Sequence, residues 1–259
     1  MSLLQAILLA VIEGLTEFLP VSSTGHMVIA SSVMGIEHDE FVKNFTVIIQ
    51  LGAILSVVVL YYPRFVKSRE FYVKLAIAAL PGLLVGFLIK DAVDSLLESP
   101  MVVAINLVLG GIFLLFVDKI FAKNIEQGND EPTRRNAFFI GLFQIIAIAL
   151  PGVSRSAATI VGGLAQKLRL QSAAEFSFFL AVPTMLAATG YKLLKMLKAN
   201  DAQLSEHFFT LGIGSVVAFF VAWGAMRFLV SILLQYGFRW FGFYRILVGS
   251  TILLVLLTK

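Results

Sequence analysis

The stretch EGLTEFLPVSSTGHM, residues 13–27, decides how the rest of the chain is read. It places two carboxylates, a proline, a run of three hydroxyls (Ser22, Ser23, Thr24), Gly25 and His26 in surroundings that are otherwise apolar. Of the 259 residues, 59% are hydrophobic and only 14% charged, and the mean hydropathy is +0.92. A soluble domain carries about 25% charged residues to cover its surface, so this composition excludes one. Uncharged apolar windows recur at 44–63, 75–89, 99–117, 136–154, 176–191, 207–226 and 246–258, several close to the roughly 20 residues that cross a bilayer core. They are continuous rather than alternating, which points to helices and not to a β-barrel. The expected class is an all-α integral membrane protein. The first 19 residues lack a basic leader, and Glu13 and Glu17 interrupt them, so they read as part of the mature fold rather than as a signal peptide.

The net charge of +4 says little about partners, because basic residues in such a chain record which loops stay inside. No basic, aromatic-studded patch points to nucleic acid. The absence of cysteine excludes disulfides and thiolate metal sites.

Shifting the sequence by 131 positions lays residues 13–29 on QIIAIALPGVSRSAATI, residues 144–160. Leu19 and Pro20 meet Leu150 and Pro151, Ser23 meets Ser154, and Ile29 meets Ile160. At the same offset NFTVIIQLGAIL (44–55) meets EFSFFLAVPTML (175–186). One membrane domain, 1–259, with internal repeats near 1–125 and 132–259 follows. Each repeat reads as an interrupted apolar segment and three long ones, near 41–62, 71–90 and 101–121, then near 174–196, 207–234 and 241–258. An interrupted segment that dips in and returns leaves an odd number of crossings per half. The two repeats are then inverted, each a re-entrant helix pair plus three transmembrane helices.

Loop charge supports one orientation. Arg64, Lys67, Arg69 and Lys74, then Lys119, Lys123, Arg134 and Arg135, then Lys167 and Arg169 all fall on one side, which should be cytoplasmic. The acidic loops 36–40 and 90–98 fall outside. Lys192, Lys195 and Lys198 do not fit, since they also fall outside.

Glu13 and Glu17 are four apart and share one helical face. A carboxylate facing lipid costs a few kcal/mol, about 2.5–3.5 on insertion scales, so both should point into protein or a wet cavity. They read either as a hydrogen-bonded pair between helices or as a site. Two such groups can hold a divalent cation or divide acid and base roles. PVSSTGH breaks the helix at Pro20, and irregular backbone at membrane depth is tolerated only where protein or a cavity covers it. Its counterpart PGVSRSAAT (151–159) sets Arg155 between Ser154 and Ser156, with Thr159 one turn on. A guanidinium fork suits phosphate or carboxylate, and Arg155 is read as an anion clamp or as the ion-pair partner of Glu13 or Glu17. If both turns meet, one pocket holds Glu13, Glu17, Ser23, His26, Ser154, Arg155, Ser156 and Thr159, which suits phosphoryl chemistry on a lipid-borne anion. Asn44, Thr46, Gln50, Glu175 and Ser177 read as supporting hydrogen-bonders. YYPRF (61–65) and FRWFGFYR (238–245) read as interfacial anchors, with Arg245 within reach of a lipid phosphate.

EGLTEFLPVSSTGHM and LPGVSRSAATI closely resemble the two signature motifs of the bacterial undecaprenyl-diphosphate phosphatases, or bacitracin resistance proteins. FTVIIQLGAILSVV (45–58) and AAEFSFFLAVPTM (173–185) match other segments of that family. The resemblance spans essentially the whole chain, without a departure at the polar positions. It implies a multi-pass enzyme of the bacterial plasma membrane that removes the terminal phosphate of undecaprenyl diphosphate, recycling the lipid carrier of peptidoglycan synthesis and conferring bacitracin resistance. It also implies interlocked inverted repeats, a site open to the outer face and a divalent cation, Mg²⁺ or Ca²⁺, for which Glu13 and Glu17 are the candidate ligands. The expected partners are the polyprenyl diphosphate lipid and the membrane, with no nucleic acid and a homodimer left open. Glu13, Glu17, Ser23, His26 and Arg155 are the expected catalytic residues. Ser22, Thr24, Gly25, Ser154, Ser156 and Thr159 are expected to bind substrate. Ser23, His26 or water remain open as nucleophile. The rival reading is an inverted-repeat transporter or flippase of a polyprenyl phosphate, which needs the arginine clamp but not the acid and base groups beside it.

Overall fold

The computed structural model describes residues 1–66, 68–97, 99–198 and 207–258. Lys67, Glu98 and the side chain of Lys198, used above to orient the chain, lie outside the described residues. Among the described residues the protein is all helix, with one isolated bridge between Asn129 and Leu168 and no strand.

Two short helices open the chain, α1 (Leu3–Thr16) and α2 (Ser23–Val33), joined by the turn that carries Pro20. A long apolar run follows, made of α3 (Glu40–Ile48) and α4 (Gln50–Leu60), then the short α5 (Tyr62–Phe65). Next come α6 (Arg69–Leu88), α7 (Lys90–Leu97), α8 (Pro100–Ile120) and α9 (Ala122–Gln127). A second short pair, α10 (Arg134–Ala149) and α11 (Arg155–Ala165), leads into α12 (Leu170–Lys198), α13 (Phe208–Tyr236) and α14 (Arg239–Leu257). Among the described residues six helices are long and apolar enough to cross a membrane: Glu40–Leu60, Arg69–Leu88, Pro100–Ile120, Leu170–Leu197, Phe208–Tyr236 and Arg239–Leu257. They lie within a few residues of the six long segments expected from hydropathy.

Local sequence sets where the short pairs begin. Ser2 and Gln5 close a capping box at the start of α1, and Thr133 and Asn136 close the same device at the start of α10. Each box satisfies two N–H groups that a helix start leaves unpaired. These pairs are also 131 positions apart.

Packing crosses between the halves of the chain. The helix α1 lies against α13, α10 against α6, α4 against α12, and α8 against α14. At the α10–α6 contact Gly141 touches the Ala78 backbone so closely that a Cβ would stand 2.2 Å from the Ala78 carbonyl oxygen. Two clusters of buried apolar side chains fill the interior.

Charge gathers at one end of the bundle. Arg134 grips Glu70 through two hydrogen bonds of 3.0 and 2.7 Å, tying the start of α10 to the start of α6. Arg64 lies 3.6 Å from Glu175 and 3.9 Å from Glu131, and Arg169 pairs with Asp130. Glu175 is thus an ion-pair partner at the start of α12. Asp118 caps α14 by accepting from the N–H groups of Phe238 and Arg239 at 2.9–3.1 Å.

Candidate active site

A cavity of about 520 Å³ lies between the two short pairs and the helices α6 and α12. The first turn contributes Glu17, Ser22, Ser23 and Thr24 to its wall, and the second contributes Ser154 and Arg155. Gln50 and Gln144 add two amides. The cavity runs to the C-terminal ends of α6 and α12, away from the charged starts of α6 and α10. There Phe87, Lys90, Tyr191, Lys192 and Lys195 surround its mouth. The two described lysines that broke the loop-charge pattern, Lys192 and Lys195, therefore line a cavity rather than a plain loop.

The first turn is held in a conformation that β-carbon-bearing residues seldom adopt. Ser22 has φ 71° and ψ 92°, a strain on the order of 1–3 kcal/mol. Its side chain accepts from the Gly25 N–H at 3.3 Å, and its carbonyl lies 2.8 Å from His26 Nδ1. A carbonyl only accepts, so Nδ1 carries a proton. His26 Nε2 meets the Tyr244 hydroxyl at 2.7 Å, and the two rings stack with centroids 5.5 Å apart. In the second turn the left-handed position is Gly152, φ 95°, where a Cβ would stand 2.5 Å from the Val103 carbonyl oxygen.

The turns meet through charged and hydroxyl groups. Ser23 Oγ donates to Glu17 Oε2 at 2.5 Å, and Arg155 Nη2 donates to Glu17 Oε1 at 3.0 Å. Glu17 thus bridges the serine of its own hairpin and the arginine of the other. Arg155 Nη1 is spent on the Ser177 carbonyl at 2.9 Å, while its buried Nε has no acceptor. Ser156 donates to the Leu19 carbonyl at 2.6 Å, and Ser154 lies 2.8 Å from Ser156. Thr159 Oγ1 lies 2.6 Å from Ser177 Oγ. The Glu17 and Arg155 side chains are 6% and 16% exposed, so the ion pair is shielded and removing one partner strands the other charge, a loss of about 3–5 kcal/mol.

Of the expected site residues, Glu17, Ser22, Ser23, Thr24, Ser154 and Arg155 line the cavity. Glu13, Gly25, His26, Ser156 and Thr159 do not. Glu13 is fully buried behind the wall, and neither of its oxygens has a hydrogen-bond partner. Gly25 packs against Leu107. His26 faces Tyr244 of α14, its ring held between the Ser22 carbonyl and the Tyr244 hydroxyl. Ser156 and Thr159 spend their hydroxyls on the Leu19 carbonyl and on Ser177. Arg155 is the ion-pair partner of Glu17 and also lines the cavity. Ser177 supports it, as expected.

Arg245 corrects the sequence reading. It is not an interfacial anchor but is 1% exposed, the largest fully buried side chain. Its guanidinium donates to four carbonyls: Gly152 at 2.9 Å, Asn106 at 3.2 Å, Leu107 at 3.3 Å and Pro20 at 3.4 Å. Pro20 belongs to the first turn and Gly152 to the second, so one side chain of α14 ties both turns to α8. Gly110 leaves it room, since a Cβ there would stand 2.3 Å from Nη2. Asn106 completes the tie by donating to the Pro151 carbonyl at 2.7 Å. The glycines at 110 and 111, visible in the sequence, were the available signal.

Fold and site together define a multi-pass membrane protein in which a Ser–Glu–Arg cluster faces an internal cavity. The model of the family described as bacitracin resistance protein BacA matches residues 6–251, and the chain belongs to that family. Similar proteins carry the name undecaprenyl-diphosphatase. One from Porphyromonas gingivalis is 53% identical over 100% of this chain and 98% of its own length. One from Flavobacterium johnsoniae is 54% identical over 98% of this chain and 96% of its own. A third, from Aquifex aeolicus, is 43% identical over 95% of each.

Proposed function

We propose that the protein hydrolyses undecaprenyl diphosphate to undecaprenyl phosphate and inorganic phosphate. The observation that carries this reading is the Ser23–Glu17–Arg155 cluster, in which one carboxylate joins both turns on the wall of one cavity. Family membership and the names of close relatives support the same substrate.

Arg155 binds the diphosphate, with its unpartnered Nε–H directed by the same guanidinium plane. Ser22, Thr24 and Ser154 offer hydroxyls along the wall. Glu17 takes the proton of Ser23 or of a water that Ser23 orients, and the activated oxygen attacks the terminal phosphorus. The bond to the bridging oxygen breaks and the lipid phosphate leaves. If Ser23 is the nucleophile, water then cleaves the phosphoserine and Ser23 regains its proton. His26 holds the strained Ser22 carbonyl and braces the turn against Tyr244. Glu13 and Glu17 are the groups that would hold a divalent cation. Hard cations take carboxylate oxygens and substrate phosphates. The Glu13 oxygens have no partner, but they lie behind the cavity wall, and both Glu17 oxygens are taken by Ser23 and Arg155. Among the described residues no cluster of three such ligands occurs, so the fit is incomplete. A bound cation would offset phosphate charge.

The short pairs act as re-entrant hairpins of two inverted repeats. At 1.5 Å per residue, the 11-residue α2 and α11 fall well short of the roughly 30 Å hydrocarbon core. The exchange of packing partners between halves, α1 with α13 and α10 with α6, supports the same plan. The basic charged end is the cytoplasmic one, so the cavity opens to the outer face of the plasma membrane.

Phosphate release from a prenyl diphosphate by the purified protein, in detergent with a divalent cation, tests the reading. Wild-type protein should release phosphate far above Glu17→Ala. Equal release from both overturns it.

A further inference from the structure

Gln144 sits on α10 among isoleucines, yet it is 1% exposed and lines the cavity. Neither its Oε1 nor its Nε2 has a hydrogen-bond partner. An unpaired buried amide costs about 1–3 kcal/mol, and a leucine of similar volume would carry no such cost. Packing therefore does not explain why an amide stands here.

The facing helix keeps space for it. A Cβ at Gly82 of α6 would stand 2.4 Å from Gln144 Nε2 and 3.0 Å from the Ile148 side chain. This differs from the neighbouring α6–α10 contact, where Gly141 meets Ala78 backbone and so serves the approach of the helices. Gly82 meets the end of a side chain. A methyl group there would push the amide from its position and press on the Ile148 side chain, without meeting backbone. The two residues together set a carboxamide in the wall of the cavity that Arg155, Ser23 and Ser154 also line.

The repeat sharpens the chemistry. The position 131 residues earlier is Glu13, which is buried with both oxygens unpartnered in the same way. Where the first hairpin places an acceptor, the second places an amide that also donates. A neutral donor adds hydrogen bonding to an anion without adding a second charge beside the Glu17–Arg155 pair.

We infer that Gln144 is a further substrate-binding residue, whose Nε2 donates to a phosphate oxygen of the group clamped by Arg155. This rests on the phosphatase reading above. The shared chemistry is a phosphate oxyanion, whether on the lipid diphosphate or on free phosphate.

Gln144→Leu tests it, with three readouts on purified protein. The Tm without ligand should stay level or rise, because an unpaired amide leaves the interior. The KM for a prenyl diphosphate should rise about tenfold or more, as expected for a lost hydrogen bond to a charged group, with kcat changed less than threefold. Inhibition by inorganic phosphate separates the sources. Weakened inhibition assigns the contact to the phosphate that is released, and unchanged inhibition with the raised KM assigns it to the phosphate the lipid retains. Gly82→Ala keeps the amide but displaces it, and should raise KM in the same direction. If Gln144→Leu does not fold, Gly82→Ala alone decides, and an unchanged KM there overturns the inference. A lowered Tm with unchanged KM and unchanged inhibition also overturns it. Should wild-type protein release no phosphate, the phosphatase reading fails. Protection of wild-type protein but not Gln144→Leu against heat by inorganic diphosphate would still support the anion contact, and equal protection would overturn it.

Discussion

The first hairpin brings Glu13 and Glu17 down α1 to a turn closed by Ser22, Ser23 and His26, while the second brings Gln144 and Ile148 down α10 to a turn that carries Ser154 and Arg155. Both begin with a capping box, and in both the first helix ends just ahead of a Leu-Pro pair that lies in the turn. At matched positions, however, Glu13 faces Gln144, Glu17 faces Ile148, Thr24 faces Arg155 and His26 faces Ala157. The first pair carries the carboxylates and the second the guanidinium and the amide; in the proposed mechanism one accepts a proton and the other donates hydrogen bonds. Neither holds a complete site, and Glu17 with Arg155 is where they join. Two helix pairs of matching sequence pattern can thus divide binding from proton transfer, because neither has to carry both.

The largest effect should come from the joint itself. Glu17→Gln removes the acceptor of the Ser23 proton and leaves Arg155 without its partner, so phosphate release in a steady-state assay should fall on the order of 100-fold to 10,000-fold. Release above a tenth of wild type would break the proposed division of roles. Next is the clamp of the second hairpin. Arg155→Lys keeps charge but loses the planar fork, and KM for a prenyl diphosphate should rise roughly 10-fold to 100-fold, with a smaller change in kcat.

A third test asks what holds the two hairpins in register. Arg245→Met strands the turn carbonyls of Pro20 and Gly152, each costing about 1–3 kcal/mol when buried and unpaired, and cuts their tie to the α8 carbonyls of Asn106 and Leu107. The Tm should fall by several degrees, with a loss of kcat larger than any change in KM. An unshifted melting curve would contradict this bracing role. The smallest effect belongs to the brace on one turn only. Tyr244→Phe removes a single hydroxyl contact to His26, and phosphate release should fall only about two- to fivefold. A loss as large as that of Glu17→Gln would instead place His26 and Tyr244 in the chemistry.

The sequence revealed the hairpins because proline and a hydroxyl run are costly inside an apolar span, so a few residues carried a strong signal. The six long helices were legible for the same reason, as uncharged windows of membrane length. Arg245 was hidden by its neighbours. The aromatics of FRWFGFYR resemble an interfacial belt, and only the helical phase, which turns Arg245 onto Gly110 and Gly111, shows that it points inward. Gln144 was hidden because a single amide in an apolar helix carries little signal alone; its match to Glu13 was the one available clue. His26 was grouped with Ser23 by proximity in sequence, yet its ring is taken up by the Ser22 carbonyl and by Tyr244, a partner 218 residues away that the motif does not contain. Lys192 and Lys195 looked anomalous because loop charge alone does not distinguish a retained loop from a cavity mouth.

The central claim is that the two turns make one site through Glu17 and Arg155. A double-mutant cycle on phosphate release, with Glu17→Gln, Arg155→Gln and both together, tests it most directly. The account predicts strong coupling, with the double variant little worse than the poorer single one and an interaction energy of about 1.5–3 kcal/mol. Losses that simply multiply, leaving no interaction energy, would contradict it.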